Sequence, residues 1–523
     1  MEFRRINQIQ LPDHRFYEIF LPTLFIIIGL FGAFNHALWR DEMQGWLVAW
    51  QSDNLIDLWK NNAPSGHPVL WSLLIYLSKN ITGTPISMQL MHWFLGSSAI
   101  VIFWRFSPFN LITKALFTFG YFPFWEYFFV CRHYVIAELI IFIFCSIYHL
   151  KDKTYIPFSL CIGLLANTQA LSWSLSFAIG MTLVLDWFLN PNQRKNYKRN
   201  KRWILDLTSS IAISSTLLCF GAFSLLQVRD SVKLLSSFID IRHFLRVIGQ
   251  VFGGYMLIIP NSSRFFDLIL CALITLILIV STIIFIKCFR PALIYFLSGI
   301  IFLFLFNYFL FLGDGSRHYG YYFLVIISST WLALSNQDQQ LRSSNYQNLF
   351  TKGNLFYFPR LLNICLTIHM VVGIHMVFND FRLPYSSGKE TAQYIQTKGW
   401  QDLPIFATRD VEVATVSGYL DREFYVPELK GFGSYAQWAN RVTLDRTKTL
   451  DEVQVYLDRF PNVNKLLLLL SNRSSIKNLQ PGESLYVDKI RVIADSKFEN
   501  SFIDSEKFYI YWVERIVVLS FVA

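Results

Sequence analysis

The sequence predicts an α-helical polytopic membrane protein with a soluble α/β domain after its last span, and three observations predict it. Of 523 residues, 53% are hydrophobic, 17% aromatic and only 16% charged, far from the usage of soluble domains. Apolar runs of about 17–23 residues, long enough to cross a bilayer as helices, recur as far as residue 379. After Pro384 the composition shifts to short β-type runs alternating with amphipathic helical ones.

Taken in order, the apolar runs give about eleven spanning helices, at 19–38, 86–105, 110–126, 133–150, 155–170, 172–189, 204–226, 265–287, 291–312, 319–335 and 361–379. The first is long, bulky to its end and lacks a small-residue cleavage site, so it reads as a retained helix rather than a signal peptide. An odd number of spans puts the two termini on opposite sides. The loops on the N-terminal side carry Arg105 and Lys114, Lys151 and Lys153, the run from Arg194 to Arg202, Lys287 and Arg290, and Arg342, Lys352 and Arg360. Short basic loops mark the cytoplasmic side. The net charge of +10 is thereby accounted for without a nucleic-acid partner. The expected organisation is a cytoplasmic N-terminus at 1–18, a membrane module at 19–379 with its first outer loop at 39–85, and an extracytoplasmic domain at 380–523, in the plasma membrane. The seven cysteines sit in or beside apolar runs without metal-type spacing, which argues against a disulfide or zinc framework.

The first outer loop has helical spacing of Trp and Leu at 44–50, 55–59 and 68–77, the pattern of helices lying on a membrane surface. Residues 227–264 carry a comparable apolar stripe. Beyond 380, strands are expected at 404–408, 422–426, 465–470 and 508–514, with helices at 389–397, 434–441 and 450–459. Leu466 to Leu470 is the continuous apolar run of a central buried strand. Gly418, Gly431 and Gly433 make no phosphate-binding fingerprint, so no nucleotide site is assigned there.

This topology collects Asp41, Glu42, His67, Glu126, Arg132, His133, Asp314, Arg317 and His318 at helix ends on the outer face. Acids at a membrane boundary are functional candidates because an ionised side chain there is costly unless solvated or paired. Carboxylates beside Arg and His suit group transfer from a lipid-linked phosphate: the acid serves as general base and the cations hold the leaving phosphate. Bland roles exist for each. Arg132 and Arg317 can snorkel to headgroups, His67 before Pro68 can cap an interfacial helix, and Glu126 and Asp314 can neutralise the arginines. Asn167 and Gln169, at a turn, receive no role.

One spanning helix, then Asp41-Glu42, then a loop ending in Gly66-His67-Pro68-Val69-Leu70-Trp71, then Glu126 and Arg132-His133-Tyr134 resembles the GT-C superfamily of membrane glycosyltransferases. The resemblance is to the branch related to protein O-mannosyltransferases and aminoarabinose transferases, and it spans about 20–335. It implies a polyprenyl-phosphate-linked sugar as donor and a glycan, lipid or protein as acceptor. It also implies Asp41 as the base that activates the acceptor, Glu42 orienting the acceptor or shaping the surroundings of the base, and His67 near the donor phosphate; Arg132, Arg317 and His318 are assigned to the donor phosphate by their placement at outer helix ends. Glu126 would be a second acid, for the acceptor or for a metal. A divalent cation on Asp41 and Glu126 is the metal-dependent variant. The lack of a DxD-like pair in the first two outer loops favours transfer without one. The competing readings are a transporter or flippase of a lipid-linked sugar, which would concentrate charge at the membrane midplane, and a scaffold whose outer domain binds a partner.

Overall fold

A computed structural model describes residues 14–226, 264–309, 316–340, 354–437, 441–442, 444–471, 476 and 479–516. Asp314 and the stripe expected at 227–263 lie outside the described residues. The chain divides into two compact units. Met1–Gly32, Gly66–Leu70 and His92–Val377 form the first; Ala33–Ser65, Trp71–Met91 and Phe378–Ala523 form the second.

Among the described residues, seven helices are long and apolar enough to cross a membrane: Arg15–Asn35, Ile86–Phe106, Tyr134–Asp152, Ser172–Leu189, Trp203–Leu226, Arg290–Phe309 and Tyr357–Arg382. Ile156–Ala166 and Leu273–Ile286 are shorter apolar helices. The expected span at 110–126 is not one helix. Leu111–Thr118 is helical, Gly120 is extended (φ −73°, ψ 164°), and Tyr121–Glu126 forms a π-helical turn. Gly120 and Pro123 explain the break, since glycine gives up helix most easily and proline removes a donor.

In the first unit, small residues bring the helices onto the connection that carries Arg132. A Cβ at Gly29 would lie 1.9 Å from the Phe128 ring, and one at Gly96 would lie 2.3 Å from it. Phe25 stacks on the same ring at 4.2 Å between centroids. The first and the second of the long helices thus close on Phe128, which fixes residues 127–133 at their ends.

Among the described residues, the second unit is built on a seven-stranded mixed sheet. Its strands are β1 (Ile405–Ala407), β2 (Phe424–Val426), β3 (Gly431–Gly433), β4 (Lys465–Ser471), β5 (Ser484–Val487), β6 (Ile490–Phe498) and β7 (Phe508–Arg515), in the order β3-β2-β1-β4-β7-β6-β5. β1 runs parallel to both β2 and β4, and the other pairings are antiparallel. β4 is buried on both faces. Leu466, Leu468 and Leu470 pack with Val453, Tyr456 and Leu457 of helix Thr449–Arg459. Leu467 and Leu469 pack with Ala392 and Ile395 of helix Gly388–Thr397, and with Val413 and Val416 of helix Asp410–Leu420. Each buried Leu contributes about 1.5–3 kcal/mol, which is why this strand reads as an unbroken apolar run.

The expected helix at 434–441 is absent over 434–437; residues 438–440 lie outside the described set. Polar groups of the first loop engage this stretch instead. Ser434 donates to Gln51 Oε1 at 3.0 Å, and Gln44 Nε2 donates to the Ala436 carbonyl at 3.5 Å. The loop helix Arg40–Trp50 packs on helix Asp410–Leu420 so tightly that a Cβ at Gly418 would lie 2.2 Å from Met43 Sδ.

Candidate functional site

The candidate residues form two clusters, one in each unit. In the second unit, helix Arg40–Trp50 starts with an acid in each of its second and third positions, where the positive end of the helix dipole favours negative charge. The two acids are treated differently. Glu42 is fully buried; its Oε2 accepts from the Trp39 backbone N–H at 3.0 Å and from His36 Nε2 at 3.2 Å. The other His36 nitrogen, Nδ1, donates to Asp380 Oδ2 at 2.9 Å. Burial opposes the charge on His36, but the two carboxylates prevail and push its pKa up to about 10. At neutral pH the imidazolium therefore ties together the end of the first helix, the start of the loop helix and the start of the C-terminal sheet region.

Asp41 points elsewhere. Its side chain is 27% exposed and stands 3.7 Å from Arg40 Nε. Arg40 in turn donates to Glu412 at 3.1 Å and to Ser505 at 3.4 Å, and its backbone N–H meets Glu506 at 3.4 Å. Tyr419 O–H accepts from the Leu38 N–H at 3.0 Å, and Trp50 Nε1 donates to Asp421 at 2.6 Å. These contacts hold both ends of the helix bearing Asp41.

In the first unit, the structure brings His67, Arg132, His133 and His318 together. The His67 and His133 rings lie 5.0 Å apart. His133, 2% exposed, donates Nε2–H to Gln169 Oε1 at 2.7 Å. Burial first, then His67 and Arg132, keeps its pKa well below the ordinary histidine value. Tyr134 O–H meets His318 Nδ1 at 3.1 Å, and Tyr127 O–H donates to the Arg317 carbonyl at 2.8 Å. His92 Nε2 lies 3.1 Å from the Arg132 carbonyl. Glu126 is buried and accepts from Tyr121 O–H at 2.8 Å. The turn at 167 pins the His67 loop: the Asn167 carbonyl accepts from Leu70 N–H at 3.3 Å, while its Nδ2 bonds the Gly163 and Leu217 carbonyls at 2.8 Å each.

Sequence reasoning missed His36, Asp380, Gln169 and Asn167. His36 had a signal, a histidine at the end of the first apolar run six residues before Glu42. Asp380 closes the last apolar run in the same way. An apolar cavity of about 510 Å³ also opens in the first unit, lined by Phe158, Ile162, Phe177, Met181, Leu218 and Phe302 among others.

Comparison with known proteins finds no matching family model and no matching curated protein. Among solved structures, the chain is similar to the arabinofuranosyltransferase AftD from Mycobacteria, determined by single-particle cryo-EM. The identity is 11% and the TM-score 0.39, over 95% of this chain and 41% of that one. This chain thus spans 41% of the length of the protein it matches.

Proposed function

We propose that this chain is an integral membrane glycosyltransferase that moves a sugar from a polyprenyl-phosphate donor to a glycan, lipid or protein acceptor on the non-cytoplasmic face of the plasma membrane. The observation that carries the reading is the unequal treatment of two adjacent acids. Glu42 is sunk between His36 and the Trp39 N–H, whereas Asp41 keeps a part-exposed carboxylate on the same rigid helix turn. A general base must be both fixed and reachable, and only Asp41 is both.

In this reading Asp41 takes the proton of the acceptor hydroxyl or amine as its lone pair attacks the anomeric carbon. The bond from that carbon to the phosphate oxygen breaks, and the electron pair leaves with polyprenyl phosphate. His67, Arg132, Arg317 and His318 would offset the charge on the departing phosphate, with Arg the better bidentate partner. Glu42 acts by positioning Asp41. Glu126, which accepts from Tyr121 O–H, would be a second acid, for the acceptor or for a metal. The apolar cavity beside Phe177 and Phe302 offers a place for a prenyl chain.

Asp41→Asn should lower transfer from a labelled polyprenyl-phosphate sugar by about 10²–10⁴-fold, the usual contribution of a general base, with unchanged melting in detergent. Wild-type turnover by that variant removes Asp41 as base. Purified protein that carries the labelled lipid across vesicles without ever releasing sugar overturns the transferase reading in favour of a flippase.

A further inference from the structure

In the second unit, β1 lies between β2 and β4 and is parallel to both. The chain leaves β1 on one side to form β2 and returns on its other side to form β4. The carboxyl ends of such strands part at a switch point, which is where open α/β sheets hold ligands.

Each of the three strand ends there carries a buried polar side chain with an atom that lacks a hydrogen-bond partner among the described residues. After β1 comes Asp410, 1% exposed. Its Oδ1 receives Arg441 at 3.1 Å and the Val411 N–H at 3.0 Å, while Oδ2 has no partner. After β2 comes Glu428, 4% exposed. Its Oε1 accepts from the Arg409 N–H at 2.7 Å, and Oε2 has no partner. At the end of β4, the fully buried Ser471 hydroxyl has none either. A buried polar atom without a partner costs about 1–3 kcal/mol, and here three stand at the ends of three adjacent strands.

The chemistry of the surroundings selects the occupant. Arg409 and Arg441 beside the two acids disfavour a cation. Carboxylate oxygens disfavour an anion. Two acceptors with a hydroxyl that both donates and accepts suit neutral hydroxyl groups. We propose that the carboxyl ends of β1, β2 and β4 bind a neutral glycan, with Asp410 and Glu428 accepting from its hydroxyls and Ser471 completing the set.

A run of ion pairs joins this site to Asp41. Glu412 pairs with Arg409 at 3.3 Å and with Arg40 at 3.1 Å, and Arg40 stands 3.7 Å from Asp41. The bound glycan is then the acceptor; that part rests on the transferase reading, whereas glycan binding stands without it.

The test uses full-length protein in detergent on an array of neutral oligosaccharides. Wild type should bind a restricted set. Asp410→Asn and Glu428→Gln should each weaken that binding at least tenfold, and Ser471→Ala several-fold, all with wild-type melting temperatures. Asp41→Asn should bind as wild type does. If either acid variant misfolds, Ser471→Ala, which removes one oxygen from a buried strand, carries the test. Failure of wild type to bind any glycan, or variants that bind as tightly as wild type, overturns the proposal, as does binding of Mn²⁺ or inorganic phosphate at this locus in place of glycan. The two readings fail separately. Full transfer by Asp41→Asn with glycan binding intact sinks only the catalytic reading. An unchanged acceptor KM in Asp410→Asn and Glu428→Gln, with transfer lost in Asp41→Asn, sinks only the glycan site.

Discussion

Two histidines, each 2% exposed, show how differently two clusters of the molecule handle buried polarity. His36 lies between Glu42 and Asp380 and is charged. His133 lies among His67, Arg132 and Gln169 and is neutral. Burial is the same, so the neighbours decide. Elsewhere in the second unit, too, buried carboxylates meet cations: Glu412 pairs with the part-exposed Arg40, and Asp410 with the part-exposed Arg441. The cluster around His133 relies instead on neutral donors and acceptors, such as Tyr134 with His318 and Ser172 with Tyr321. Paired ions fix a geometry rigidly but fail badly when one member is removed; neutral networks lose one bond at a time.

The sharpest way to break this contrast is His36→Leu. It leaves Glu42 and Asp380 buried without their cation, and removing one member of a buried pair costs about 3–5 kcal/mol. Thermal melts and protease sensitivity of the second unit should register the loss. A cost under about 1 kcal/mol would mean that the carboxylates do not need the imidazolium, and the contrast would fall.

The next effect is one of pH, and its sign differs between the two histidines. His36, raised to about 10 from 6.5, contributes stability that is complete below about pH 6.5 and lost as pH rises through 10. Glu506 behaves alike. Burial pushes its carboxyl up to about 8 from 4.5, against the Ser386 and Thr415 hydroxyls that bond it, so its contribution is complete below about pH 4.5 and lost as pH rises through 8. His133, held low, contributes stability present above about pH 6.5 and lost as pH falls through its folded pKa. Each group changes stability by at most about 1.4 kcal/mol per pH unit. Hydrogen exchange, corrected for intrinsic rates, should therefore show peptides around His36 loosening toward pH 9.5 and peptides around His133 loosening toward pH 5.5. Loosening of both in the same direction would show that neighbours do not set the two charge states as described.

The membrane character was legible because apolar runs are local: a helix such as Ile86–Phe106 is written in consecutive residues. β4 was legible for the same reason, its burial on both faces leaving no polar alternation to disguise it. The π-helical break after Gly120 was written in Gly120 and Pro123, yet the apolar run around them concealed it. The association of the first loop with the C-terminal sheet was not legible at all. His36 and Asp380 are 344 residues apart, and Arg40 and Glu412 are 372 apart; such pairs leave no periodic trace. Asp41 and Glu42 stand out in the sequence as a pair, but adjacency in sequence says nothing about which one turns inward. That depended on His36.

The smallest effect tests the neutral side of the contrast. Gln169 is 2% exposed and bonded through Oε1 to His133. Gln169→Leu keeps the volume and removes the acceptor. The turn around it has other supports: Asn167 Nδ2 on the Gly163 and Leu217 carbonyls, and Thr168 O–H on Ser172 Oγ at 2.7 Å. The backbone therefore stays in place, and the loss is one neutral hydrogen bond, about 1 kcal/mol. His133 remains neutral because burial, the largest influence on it, is unchanged. The ring loses its orienting partner beside His67, so transfer should fall by less than about tenfold, an energy of about 1.4 kcal/mol or less. A melting-temperature loss as large as that of His36→Leu would mean that Gln169 compensates a charge, that His133 is protonated in the fold, and that the two clusters bury polarity by the same rule after all.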